Sequence, residues 1–183
     1  MDSAQTTEKD IEIANKLETY IDFDDLPFKR GELYDKMKEA KFNVSHLSTY
    51  DLLRKDYKSV ATAEQSVGIS SVTVPMDELL QRDKFIDDIS AFFDEKSLTS
   101  FVIISFYFIA DIAERKLLIF EKSCDASKTK IGSFLSQNSN LEVKALDSPH
   151  PCLQLFKLNI QDSRKVIMPL IKEFLNSWLV FYQ

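Results

Sequence analysis

Three consecutive residues, Ser163, Arg164 and Lys165, combine a helix-opening hydroxyl with two cations. Ser163 suits the N-cap of the helix that follows, which puts Arg164 and Lys165 in its first turn, beside open backbone N–H groups and the positive end of the helix dipole. Cations are locally unfavourable there, and an anion gripped by the amides and both side chains removes the conflict. Phosphate suits this geometry, because a guanidinium can hold two of its oxygens at once. The competing reading is that both side chains simply extend into water, at a cost of about a few tenths of a kcal/mol. Pro169 bears on the choice. A helix starting at Ser163 carries Pro169 in its second turn, whereas a helix starting at Pro169 leaves the cation pair on the preceding loop; we adopt the first arrangement.

A second cationic cluster, Arg54, Lys55, Asp56, Tyr57 and Lys58, lies where a helix gives way to a strand. Arg54 and Lys55 near a helix C-terminus satisfy its dipole and need no further role. Lys58 lies beyond that turn and is either a solvated lysine or a further anion contact. Other residue types offer less. His46 and His150 have no second ligand at metal spacing, Cys124 and Cys152 read as ordinary core or subsurface thiols, and the pairs Asp24/Asp25 and Asp87/Asp88 read as solvated acids. Gly31, Gly68 and Gly132 stand alone, so no glycine-rich phosphate loop is present, and two isolated histidines support no Ser/His/Asp order.

The elements that must position these cations follow from periodicity. Thr7 with Asp10 forms a capping-box start, and Ile11, Ala14, Leu17 and Ile21 fall on one helical face. After the acidic break at Asp22 to Pro27, Leu33, Met37 and Ala40 mark a second helix. Ser48 with Asp51 opens a third short one, which ends near Asp56. Val67, Ile69, Val72 and Val74 predict a strand whose apolar parity flips across Ser70 and Ser71, implying a bulge or burial on both faces. Leu79 to Phe93 returns to helical spacing, in one or two pieces, with Asp83 as a possible internal cap.

Phe101 to Ile109 and Lys116 to Phe120 predict adjacent antiparallel strands divided by the polar stretch from Asp111 to Arg115. Ile131, Phe134 and Leu135 suggest a helix ended by the Gln137 to Asn140 cluster. Leu141 to Leu146 and Cys152 to Leu158 give two more strands, and the stripe from Val166 to Leu179 gives the last helix. Helices and strands interleave, so the fold class is α/β, a mixed β-sheet flanked by helices.

Composition is consistent with that class and bounds the function. The chain has 183 residues, 44% hydrophobic and 28% charged, with 14 Phe, 6 Tyr and 1 Trp, which excludes collagen, coiled coil and low-complexity disorder. Its formal charge of -6 argues against a broad basic face for nucleic acid, so any anion site must be local. The run Phe101 to Ala110 falls well short of the ~20 residues that cross a bilayer, and Met1 to Asp10 lacks the pattern of a secretory signal. No membrane contact is expected, and two cysteines without a disulfide framework fit a reducing, cytoplasmic setting.

Three ordered blocks carry a resemblance: Asp51-Leu-Leu-Arg-Lys-Asp-Tyr-Lys58, Val67-Gly-Ile-Ser-Ser-Val72 and Asp162-Ser-Arg-Lys-Val-Ile-Met-Pro169. Together they resemble the DHHA2 domain, the C-terminal domain of DHH phosphoesterases, a group that includes family II inorganic pyrophosphatases, fungal exopolyphosphatases and the Prune proteins. The segments Glu39-Ala-Lys-Phe-Asn-Val44 and His150-Pro-Cys-Leu153 are similar to the Prune pattern as well.

The resemblance runs from about residue 6 to residue 175 and implies a linker helix over 1–28, normally following a DHH domain, and a DHHA2 domain over 29–183. It further implies that the DHH domain holds two divalent metals (Mn, Mg or Co) while the DHHA2 domain grips substrate phosphates. By motif, Lys58, Arg164 and Lys165 are the phosphate-binding residues implied for this chain. Val166 stands where pyrophosphatases often carry a further lysine, which puts specificity for pyrophosphate itself in question. No Asp-His-His is present, so no metal ligand and no catalytic residue is expected here, and this chain alone is expected to bind pyrophosphate or short polyphosphate rather than hydrolyse it. The expected partners are that anion and a DHH domain in cis or trans. The alternative is a non-catalytic module that binds another protein through the apolar tail Trp178 to Tyr182.

Overall fold

The structure is a computed structural model that describes residues 6–23, 25–27, 29–110, 112–122 and 130–181, the last four by backbone only. Cys124, Asp24 and the side chains of the apolar tail therefore lie outside the described residues. The chain divides into two compact units, residues 1–41 and 42–183.

The first unit carries α1 (Glu8–Glu18) and most of α2 (Arg30–Phe42). The capping box forms as read: the Thr7 N–H donates to Asp10 Oδ2 at 2.8 Å, and the Asp10 N–H donates to Thr7 Oγ1 at 3.3 Å. The Thr7 hydroxyl, which donates to Asp10 Oδ2 at 2.6 Å, and then the Thr7 N–H hold the Asp10 carboxyl below its usual range. Neither helix buries a residue, and the predicted stripe Ile11, Leu17 and Ile21 is exposed.

The second unit is built on a six-stranded sheet in the order β1-β2-β3-β4-β6-β5: β1 (Tyr57–Ala61), β2 (Ser66–Val72), β3 (Ser100–Ile109), β4 (Ile112–Phe120), β5 (Lys144–Leu146) and β6 (Leu153–Lys157). Among the described strands only β2 and β3 pair in parallel, joined by a crossover through α4 (Met76–Leu80) and α5 (Phe85–Glu95). On one face α3 (Thr49–Lys55), α4 and α5 bury Leu52, Leu53, Met76, Leu79, Ile89 and Phe92 against Phe101, Ile103 and Leu118. On the other, α6 (Lys130–Gln137) and α7 (Arg164–Phe181) bury Ile131, Leu135, Ile167 and Ile171 against Val67, Ile69, Val102 and Ile104. This is the mixed, helix-flanked α/β fold that the interleaved pattern predicts.

The parity flip on β2 is burial on both faces, since the register against β1 and β3 runs without a bulge. Val67 and Ile69 enter the α6/α7 layer. Gly68 and Ser70 face the α3/α5 layer, where the Ser70 hydroxyl donates to the Leu53 carbonyl at 2.7 Å and Val72 joins the core.

Four readings need correction. The sequence pattern shows no strand at 57–61, yet β1 forms there as an edge strand, half-buried at only Tyr57 and Val60. The polar stretch after Asp111 is the first half of β4, because its polar groups find partners on β3: the Tyr107 hydroxyl donates to Glu114 Oε2 at 2.7 Å, and Arg115 lies 4.8 Å from the Phe106 ring centroid. The break between α4 and α5 is made by Lys84 at φ 58, with no side-chain cap from Asp83. Cys152 is disulfide-bonded rather than a free thiol, which removes the support its thiol reading lent to a reducing compartment. Among the described residues no helix is long and apolar enough to cross a membrane.

Candidate phosphate-binding site

Lys58 is placed by its neighbours. Ser48 caps α3 by accepting the Asp51 N–H at 3.1 Å, and the helix unwinds at Asp56, whose φ of -135 and ψ of 59 turn the chain into β1. Tyr57 then enters the α5 layer, its ring 5.3 Å from Phe92 in an edge contact. Strand alternation sends Lys58 to the opposite face, the one shared by Val60, which packs on the cluster that includes α7. Lys58 is exposed there, and its side chain makes no hydrogen bond or ion pair among the described residues.

Arg164 opens α7, as the adopted arrangement requires, and Pro169 lies inside the helix. The Ser163 carbonyl accepts the N–H groups of Val166 at 2.8 Å and Ile167 at 3.0 Å. Among the described residues the N–H groups of Arg164 and Lys165 meet no acceptor, as the first turn of a helix dictates. No side-chain cap from Ser163 is present among the described hydrogen bonds, so its role at the helix start is carried by its carbonyl.

The guanidinium of Arg164 reaches Asp56, 108 residues away in sequence: Nη1 donates to the Asp56 carbonyl at 2.6 Å, and Nη2 lies 2.7 Å from Oδ1. The fold therefore brings Arg164 to the α3–β1 junction, two residues before Lys58 and on the sheet face that Lys58 shares. Lys165, next in the chain, is exposed and makes no ion pair or hydrogen bond among the described residues, and no contact ties it to Lys58. The anion that answers Arg164 within the chain is the Asp56 carboxylate, a partner the charge argument did not foresee. Its signal was present, since Asp56 is one of the two acids, with Asp51, in the block that ends at Lys58. A guanidinium has five N–H donors, and the two bonds to Asp56 leave others for a ligand.

The remaining candidates have local roles. His150 Nδ1 accepts the Cys152 N–H at 3.2 Å, which fixes the turn before β6. Among the described residues no group of three or more His, Cys, Asp or Glu is placed to hold a metal ion. A second residue the sequence reading passed over is Asp162, buried two positions before Arg164.

Comparisons with known proteins agree with this architecture. The DHHA2 domain family matches residues 35–174. Exopolyphosphatase PRUNE1 of Bos taurus is 33% identical over 177 residues, covering 95% of this chain and 38% of that protein, and its Homo sapiens counterpart is 33% identical over 178 residues with the same coverage. Protein prune homolog 2 of Mus musculus is 23% identical over 148 residues, 81% of this chain and 4% of that protein. This chain thus spans well under half the length of the curated relatives it matches. A Methanococcus jannaschii crystal structure described as a family II inorganic pyrophosphatase superposes with a TM-score of 0.57 at 18% identity, over 94% of this chain and 49% of that one, a likeness of fold. With the family matched over most of its length and relatives one-third identical across nearly all of it, the chain belongs to the DHHA2 domain family.

Proposed function

We propose that this chain is the substrate-clamping part of a phosphoanhydride hydrolase acting on pyrophosphate or short polyphosphate, working with a metal-bearing DHH domain in the same or another polypeptide. Lys58, Arg164 and Lys165 neutralise phosphate oxygens, and divalent metals on the DHH domain activate water. The carrying observation is the contact of Arg164 with Asp56 at the α3–β1 junction, two residues before Lys58 in the chain, made from a helix start with two open N–H groups. Preorganised donors aimed at phosphate stabilise charge without moving during the reaction. Cationic side chains by themselves position a substrate and do little bond-breaking, which is the part the proposal leaves to the metals. The one-third-identical relatives are named exopolyphosphatases, which supports the substrate class.

Isothermal titration of the whole chain with pyrophosphate and tripolyphosphate tests this. Affinity should fall as salt rises, and Arg164→Ala should weaken binding by about tenfold or more. Salt-insensitive affinity, or an unchanged variant, overturns the clamp. Hydrolysis well above background by the purified chain with added Mg or Mn overturns the division of labour.

A second reading, a module that binds another protein, draws on the first unit, where Ile11, Leu17, Leu33 and Met37 are 42–64% exposed along helices that bury nothing. Association that disappears when residues 1–41 are removed would favour it.

A further inference from the structure

We infer that Ser70 is a positioning residue, which pins the end of α3 to β2 so that the Asp56 carbonyl, and through it Arg164, is held in one place at the start of β1. This rests on the clamping reading above. Ser70 is where the apolar parity of β2 breaks, and the strand itself has no use for a hydroxyl there. The residue is fully buried, on the face that carries Leu53, Phe101 and Ile103. In such surroundings an unpaired hydroxyl is costly and an alanine is not.

What the hydroxyl meets is a carbonyl that the helix cannot satisfy. Leu53 lies two residues from the end of α3, so no N–H of that helix can reach its carbonyl. Among the described residues no backbone N–H beyond α3 donates to it, and Ser70 Oγ does so at 2.7 Å. The next residue of β2 ties the same junction a second time, because the Ser71 N–H donates to the Asp56 carbonyl at 3.1 Å. That carbonyl is also the acceptor of Arg164 Nη1 at 2.6 Å. Two successive residues of β2 therefore hold both ends of the turn that carries the partner of Arg164, Leu53 through a side chain and Asp56 through the backbone.

The chain leaves α3 at Asp56 with φ -135 and ψ 59, and β1 pairs with β2 from Tyr57 onward. That pairing holds Lys58 opposite Ile69 without help from Ser70, so the effect of the hydroxyl passes through Arg164. Without it the last turn of α3 can rotate about the core contacts of Leu52 and Leu53, and the Asp56 carbonyl turns with it, away from the guanidinium. A side chain that binds a ligand works best when its orientation is fixed by hydrogen bonds behind it.

The test uses the whole chain and pyrophosphate. Ser70→Ala removes the hydroxyl and nothing else. Its affinity should fall about fivefold in the otherwise unaltered chain and hardly at all in an Arg164→Ala background. Equal losses in both backgrounds, or no loss in the first, overturn the inference. A ligand-free readout separates it from the clamping reading: in 1H–15N spectra Ser70→Ala should move the Arg164 Nε signal, which a change confined to the core would leave in place. If that signal stays put, the inference fails even where pyrophosphate binds. If it moves while the unaltered chain binds no pyrophosphate, the clamping reading fails and the tie from Ser70 to Arg164 stands. Should Ser70→Ala not fold, Ser70→Cys keeps a side chain of similar size with a much weaker donor and must move the same signal, its absence counting against the inference.

Discussion

Replacing Asp56 with Asn should tighten pyrophosphate binding, the opposite of what loss of its partner does. Asp56 holds Arg164 through two acceptors, its carbonyl at 2.6 Å and Oδ1 at 2.7 Å. The variant keeps the first and removes only the negative charge, so the guanidinium stays tethered. The ion pair is partly open, with side chains 20% and 50% exposed, so its loss should cost at most about 1 kcal/mol of folding free energy and shift Tm by at most about 4 °C.

The effect on binding works through repulsion. A carboxylate and a phosphate oxygen flanking one guanidinium sit about 6 Å apart, which at the dielectric of water is worth about 0.7 kcal/mol per phosphate charge. More distant phosphate charges add less, and salt screens them all, so the net relief is about 1 kcal/mol, or about threefold to tenfold in affinity. Isothermal titration at low salt reads this directly. Asp51→Asn is the control: Asp51 pairs with Arg54 at 3.1 Å on the same helix, so the variant changes net charge equally without touching Arg164. If Asp56→Asn weakens binding as Arg164→Ala does, the carboxylate serves to hold the arginine and the competition argument is refuted. Equal tightening by both aspartate variants would reduce the effect to net charge.

Two further outcomes concern the scaffold. In Gly68→Ala the new methyl would lie 2.6 Å from Leu98 Cδ1, 3.0 Å from Tyr57 Cε2 and 3.1 Å from Phe101 Cδ2, so urea unfolding should show a loss of about 1–3 kcal/mol with an unchanged m-value. Glu121 is buried, which raises its carboxyl above the unfolded value despite a 2.8 Å hydrogen bond from Ser100 Oγ. A folded pKa above the unfolded one means stability is lost as pH rises from the unfolded value through the folded one, and the penalty is full above both. Glu121→Gln should therefore be more stable than the parent chain at neutral pH, with the gap closing at acid pH in urea titrations; a gap that widens on acidification would contradict the reasoning.

Much of the scaffold was legible because local signals and burial agreed. Ser48 and Thr7 announced helix starts that form as read, and Ile167, Ile171, Phe174 and Leu175 of the α7 stripe pack as their spacing requires, while Val166 at its start is exposed. The strand β1 was not legible, since an exposed edge strand has no alternation to show and exists through its pairing with β2. The length of β4 was hidden for a related reason: Glu114 and Arg115 look like loop residues until Tyr107 and Phe106 stand opposite to receive them.

At the site the division is similar. Residue type and spacing determined which cations stand out, because capping, dipole and solvation act over a few neighbouring residues. Only the tertiary structure decided that Arg164 meets Asp56 and that Lys58 faces α7. The first depends on an approach across more than half the chain. The second depends on Tyr57 choosing the α5 layer, which by the two-residue period of a strand leaves Lys58 no other face.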